Sequence, residues 1–421
     1  MPLNTKNRLA LGFVSLHWVY GVVAIIFLSF KILDGFLRWA FGMVGLGPLV
    51  YLPVAASLGV LAVHCVVKLS EMRSPIFAVF GFMIVSVFAG VGIFMFGVPK
   101  QVAFGIYVFT PLMFGIVAYQ GFFTRYQHLM PTMALVSFIV IALGALLDVQ
   151  FALPWSGFSF EVGGEEIQGA RAWTTHGLER VAGFSRASYS LAKQAIIAAL
   201  AYIAFGSNTY IKLAVWFAAL AVIAVTTTKG VLVAWLCLTL YFVGKRFLPS
   251  ILIRLLPLSG VFVGILLPAL SYFFDFSNLF KNNIILKIAL GSFQTRLVQT
   301  WPNALEMINH HGSWLIGRGI GGIGTPQVGK EAFYSPGDNM YVYFFGIMGM
   351  LSFALYVPWL WQIWKLKIYQ FKDDHFFFLI SVLVFIYGIT TGVVEDPFIA
   401  FFLGLSLAHL FQVHKAHDTL A

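Results

Sequence analysis

The chain has 421 residues, 60% of them hydrophobic and only 10% charged, with a mean hydropathy of +0.89. That composition excludes an ordinary soluble domain and belongs with multispanning helical membrane proteins. The formal net charge of +10 would suggest nucleic acid in a soluble protein, but here the bases sit mainly at the ends of apolar runs and report topology.

Unpaired backbone groups are intolerable in lipid, so spans are helices or a closed barrel, and runs of about 20 apolar residues favour helices. The expected fold class is all-α, a polytopic integral membrane protein forming one transmembrane domain over residues 1–421. Cys65 and Cys237 both fall in apolar runs, which supports neither a disulfide framework nor a thiolate metal site. Lys6 and Arg8 precede a long apolar run without a small-residue cleavage pattern, so this run is read as a first span.

Apolar windows lie at about 9–30, 41–66, 76–98, 102–122, 131–150, 189–206, 210–228, 230–244, 252–274, 339–363, 375–393 and 397–413, about twelve spans. With the N-terminus cytoplasmic, short loops on that side hold Lys68, Arg73, Arg125, Lys212, Lys245, Arg246, Arg254, Lys365, Lys367 and Lys372; the opposite short loops hold Lys31, Arg38, Lys100 and Lys229. This bias puts both termini in the cytoplasm and both long loops, 151–188 and 275–338, on the outer side. Their bases, Arg171, Arg180, Arg186, Lys281, Lys287, Arg296, Arg318 and Lys330, then share one surface.

In the second loop, Phe293, Leu297, Trp301, Leu305 and Ile308 recur at spacings of three and four, an amphipathic helix with Arg296, Gln299 and Asn303 on another face. Two placements fit: on the membrane surface with Arg296 toward a lipid-borne anion, or as a cap on the bundle. The run Gly317-Arg318-Gly319-Ile320-Gly321-Gly322 matches G-x-G-x-x-G, but no strand precedes it, which rejects a dinucleotide site. A phosphate-cradling turn stays open, and a tight turn linking loop helices is preferred. His310-His311 lacks acidic or thiol partners at ligand spacing, so no metal site is expected. Asp373-Asp374-His375 reads as a solvated cytoplasmic loop.

Arg180, Arg186 and Lys229 stand where outer loops meet helices, where an ionic side chain snorkels, pairs with a neighbour such as Glu179, or faces an anionic ligand. Several on one leaflet favour the ligand. Glu395-Asp396-Pro397 opens the last span, where carboxylates commonly stabilise a helix start.

The second half of the chain resembles the bacterial O-antigen polymerase and O-antigen ligase superfamily. The matching pieces are Arg180-Val-Ala-Gly183; Thr226-Thr-Thr-Lys229-Gly230, with Thr and Lys where the family pattern has Ser and Arg; Arg296 with Trp301, His311-Gly and Gly317-x-Gly319; and Asp338-Asn339 followed by Gly346 and Gly349. Ligases are expected to carry His where Asp338 stands, which favours the polymerase branch.

The resemblance implies a GT-C-like glycosyltransferase of the bacterial inner membrane with a periplasmic active site. It would transfer a glycan from undecaprenyl diphosphate to the hydroxyl of a second lipid-linked repeat, inverting and without metal or other cofactor. Arg180, Arg186, Lys229, Arg296 and Arg318 are then the expected diphosphate ligands, with Arg180 and Arg296 catalytic. Asp338 is the expected base, with a helix cap as its structural alternative, and Asn339, Tyr341 and Glu395 position the acceptor. Expected partners are the undecaprenyl-diphosphate-linked oligosaccharide, membrane lipid and a chain-length regulator, with no nucleic acid. Ligation to lipid A core and transport of a lipid-linked solute are the competing readings; the transporter calls for a central polar pathway.

Overall fold

The computed structural model describes residues 16–69, 76–162, 165–175, 178–281, 284–329, 331 and 333–412. Lys6, Arg8, Arg73 and Lys330 lie outside the described residues. The first half runs through α1 (Leu16–Ile32), α2 (Asp34–Met43), α3 (Leu52–His64), α4 (Ile76–Phe96), α5 (Pro99–Ala118), α6 (Met130–Gln150), α7 (Ser188–Phe205), α8 (Thr209–Val225) and α9 (Lys229–Gly244). The second half has α10 (Ser250–Phe273), α11 (Ser277–Lys281), α12 (Ile284–Thr295), α13 (Trp301–His311), α14 (Met340–Met348), α15 (Phe353–Lys365), α16 (Lys372–Tyr387) and α17 (Pro397–Gln412). The fold is mostly helical; the first long loop adds two small antiparallel hairpins, Ser159–Val162 with Glu165–Gln168 and Thr174–Thr175 with Leu178–Glu179.

Among the described residues, seven helical runs are long and apolar enough to cross a membrane, or eight if the α1–α2 pair, bent by 84°, is one span. The windows at 210–228, 230–244 and 397–413 hold the shorter apolar helices α8, α9 and α17. Pro53, Pro99, Pro131 and Pro302 sit in first turns, where a missing N–H leaves no bond unmade.

α7 and α16 are apolar and buried almost all round, which places them at the centre of the bundle. α5 and α17 pack along each other. They meet through Gly115 and Gly404: a Cβ on Gly404 would stand 2.9 Å from the Gly115 Cα. Close approach through small residues is how apolar helices gain packing without a solvent-driven force.

The stripe of the second loop behaves as its spacing predicts. Leu297, Trp301, Leu305 and Ile308 are buried, and α13 packs on α10 and α14, so this helix caps the bundle. A π-turn at Arg296–Thr300 joins α12 to α13. At the other end of the bundle, Asp374 corrects the solvated-loop reading. It is buried, accepts from the Lys367 amide at 2.7 Å and meets His409 Nε2 at 2.7 Å, while Tyr119 meets His409 Nδ1 at 2.8 Å. A carboxylate removed from water needs such partners, and these tie the starts and ends of three helices together.

Candidate functional site

The first long loop enters the bundle through Arg180–Gly183. Asp148 Oδ2, near the end of α6, accepts from the amides of Ala182 at 2.7 Å and Gly183 at 2.8 Å. Gly183 takes φ +58°, and a Cβ there would stand 2.9 Å from the Gly144 carbonyl carbon, so only glycine lets this chain lie on α6. Arg180 is thereby aimed at the turn between α8 and α9. Its Nε donates to the Thr226 carbonyl at 3.2 Å and its Nη2 to Thr228 Oγ1 at 3.3 Å. Glu179 is not its partner: that carboxylate accepts from Ser156 Oγ at 3.4 Å. Half-burial lowers the proton affinity of Arg180, opposed by the Tyr387 and Tyr189 hydroxyls, and the guanidinium stays charged. Lys229 follows on the same turn as the first residue of α9 and is exposed.

The second loop brings up Arg296 and Asp338. The Arg296 Nη2 lies 3.4 Å from Asp338 Oδ2, and its Nη1 donates to the Ser292 carbonyl at 3.1 Å. Burial raises the Asp338 carboxyl above its ordinary range, and Arg296 pulls it back. The side chain keeps 41% of its surface open, so water screens much of both effects. Asp338 holds φ +42°, a left-handed conformation that non-glycine residues rarely take.

Glu395 stands beside this pair. Its Oε1 accepts from the Thr325 amide at 2.6 Å, and Gly324, at φ +80°, leaves the space that the carboxylate occupies. Burial pushes its carboxyl up to about 7 against two Thr325 hydrogen bonds that lower it, with Asp338 raising it further. Tyr334, half-exposed, lies within electrostatic reach of both loops: partial burial, Glu395 and Asp338 raise its proton affinity, and Arg171 of the first loop lowers it. Arg171 reaches Tyr189 Oη at 3.4 Å, and both Arg171 and Arg180 stand over the Trp173 ring, at 5.2 and 5.7 Å. A cationic stretch with aromatic faces thus runs from Arg180 and Arg171 to a pair of carboxylates and Arg296.

Because the Glu395 carboxyl sits above its ordinary value of 4.5 in the folded protein, folding favours the protonated form. That stabilisation is complete below 4.5 and is lost as pH rises through about 7. The melting temperature of the detergent-solubilised protein should therefore fall between about pH 5 and about pH 8. Glu395→Gln should flatten this slope by several degrees; an unchanged slope would place the titration elsewhere.

Three expected ligands have structural duties instead. Arg318 is buried and spent: Nη2 pairs with Glu331 Oε2 at 2.8 Å, Nη1 donates to the Gly322 carbonyl at 2.8 Å, and Nε to the His311 carbonyl at 3.1 Å. The glycine turn around it spends five of its six amides on the fold. The amides of Gly317, Arg318, Gly319, Ile320 and Gly322 donate to the carbonyls of Ser313, Gly346, Ile347, Phe88 and Gly319, wedging the turn between α4 and α14. Asn339 caps α14, accepting from the Tyr341 and Val342 amides at 2.7 and 3.0 Å while its Nδ2 donates to the Gly264 and Ile389 carbonyls. Tyr341 is buried and donates to the Phe385 carbonyl at 2.9 Å. Neither is open to an acceptor sugar.

Sequence reasoning assigned no individual role to Arg171, Tyr189, Asp148 or Tyr334. Arg171 carried a signal as one of the outer-loop bases; the others acquire meaning only from what folds against them. Lys193, buried on α7, pairs with Asp396 between the rings of Tyr189 and Tyr387, 4.5 and 5.6 Å from its ammonium nitrogen. No family profile, curated protein or solved structure matches the chain.

Proposed function

We propose that the chain is a membrane glycosyltransferase of the O-antigen polymerase kind, with about twelve spans in a bacterial inner membrane and a periplasmic site. It extends a glycan carried on undecaprenyl diphosphate by joining it to the hydroxyl of a second lipid-linked repeat. The supporting observation is convergence: Arg171 and Arg180 from the first long loop, Arg296 and Asp338 from the second, and Glu395 from the turn before α17 lie toward one end of the bundle.

In the proposed reaction the acceptor oxygen attacks the anomeric carbon of the donor, and the bond from that carbon to the diphosphate oxygen breaks with inversion. The leaving diphosphate gains negative charge, which Arg180, Lys229 and Arg296 meet as fixed cations. The hydroxyl proton passes to Asp338, whose carboxylate is held by Arg296. Asp338, where ligases are expected to carry His, favours polymerisation over transfer to lipid A core.

Purified protein given a defined undecaprenyl-diphosphate repeat, with and without lipid A core, tests this reading. Ladders on the carrier are expected, and Arg180→Ala and Arg296→Ala should each slow them at least tenfold, as loss of one charge-stabilising donor does. Transfer to core alone would make the protein a ligase, and wild-type rates in both variants would remove the cationic clamp.

A further inference from the structure

A second cationic cluster lies at the bend between α1 and α2. The α2 helix begins on the chain just before Arg186: the amides of Gly35 and Phe36 donate to the Phe184 carbonyl at 2.9 and 3.2 Å. One turn on, Arg38 Nε pairs with Asp34 at 2.8 Å, and Lys31 Nζ lies 3.8 Å from the same carboxylate. Arg38 is 3% exposed, and its guanidinium stands 5.4 Å from the centre of the Tyr51 ring. Arg186 lies within electrostatic reach of Arg38, Lys31, Asp34 and Arg171.

Asp34 is, among the described residues, the carboxylate in direct contact with the cations Lys31 and Arg38, with Arg186 within electrostatic reach; Asp396, also within reach of Lys31, is already paired with Lys193. Two buried donors are also left over: Arg38 Nη1 and Arg186 Nε meet no hydrogen-bond acceptor among the described residues. Buried guanidinium donors without acceptors are costly, and an excess of buried positive charge adds to that cost. A tetrahedral oxyanion answers both, because it supplies the missing charge and several acceptor oxygens at once.

We infer that Arg38 and Arg186, backed by Lys31, form a second phosphate-binding subsite, distinct from the Arg180 and Arg296 side of the site. Its occupant is the phosphate or diphosphate of a lipid-borne molecule at the membrane surface. Assigning that molecule as the second lipid-linked repeat rests on the polymerase reading, since joining two such repeats brings two diphosphates to one enzyme. Arg186 then serves this group, and Arg180, Lys229 and Arg296 serve the other.

The test titrates inorganic pyrophosphate calorimetrically into the full chain in phosphatidylcholine nanodiscs. Wild type should bind at two sites. Arg38→Gln and Arg186→Gln should each weaken the same site at least tenfold, and Arg180→Gln the other. Arg186, only half-buried, keeps the test valid if Arg38→Gln does not fold. Wild-type isotherms in both Arg38→Gln and Arg186→Gln would overturn the subsite while leaving the polymerase reading intact. Adding polyprenyl diphosphate to the nanodiscs should compete pyrophosphate away from this site; competition by phosphatidylglycerol alone would overturn the substrate assignment. A protein that binds at both sites but forms no ladders would sink the polymerase reading and keep the subsite.

Discussion

Replacing Asp338 by Asn is expected to slow glycan polymerisation by about a hundredfold to ten-thousandfold, the range general-base catalysis contributes, while donor binding stays near the wild-type level. Capping alone does not explain this position, because Asn339 already supplies the side-chain oxygen that accepts from the first amides of α14. Asp338 instead holds φ +42° directly after Gly337 at φ +71°, and its carboxylate meets Arg296. A left-handed conformation costs most L-residues roughly 1–2 kcal/mol and an Asp less, so glycine is the relaxed choice at this position. Asp338→Gly separates the two contributions: its melting temperature should equal or exceed wild type, and its turnover should be as low as that of Asp338→Asn. If either variant makes ladders at the wild-type rate, Asp338 serves only to hold Arg296.

What the sequence revealed and what it hid divide along the range of the interactions. Periodicity and hydropathy are local, so the windows 76–98, 131–150 and 252–274 fall on Ile76–Phe96, Met130–Gln150 and Ser250–Phe273, and the stripe from Leu297 to Ile308 lies on one buried face. Breaks inside apolar runs were hidden. The window 339–363 contains Gly349 at φ +57°, where α14 ends, because that glycine packs against the Trp314 and Leu315 carbonyls of a distant loop. Charged residues were least legible, since an arginine's duty depends on which partner the fold supplies. Arg296 was set apart by its position on the helix and meets Asp338; Arg318 looked equivalent and is consumed by Glu331 and backbone carbonyls. Asp374 looked solvated because His409 lies 35 positions away in the chain.

That distinction between two similar arginines carries the second large effect. Arg318→Met should cost about 3–5 kcal/mol, the usual penalty for removing one member of a buried ion pair. Among the described residues Glu331 would be left with only amide partners, Gln101 Nε2 at 2.5 Å and Gln327 Nε2 at 3.2 Å. The glycine turn would also lose its clamp to the end of α13. Replacing both partners, Arg318→Met with Glu331→Met, should recover much of the loss, because two apolar side chains leave no uncompensated charge. The expected readout is a steep fall in melting temperature and in membrane yield for the single variant, with recovery in the double one. Asp338→Asn, by contrast, should purify normally and fail in turnover. An Arg318→Met protein that melts like wild type but no longer binds pyrophosphate would return Arg318 to the ligand set. Stability loss with binding preserved in the surviving fraction would fix it as the pin that holds the second loop against α4 and α14, and so holds Arg296 in reach of Asp338.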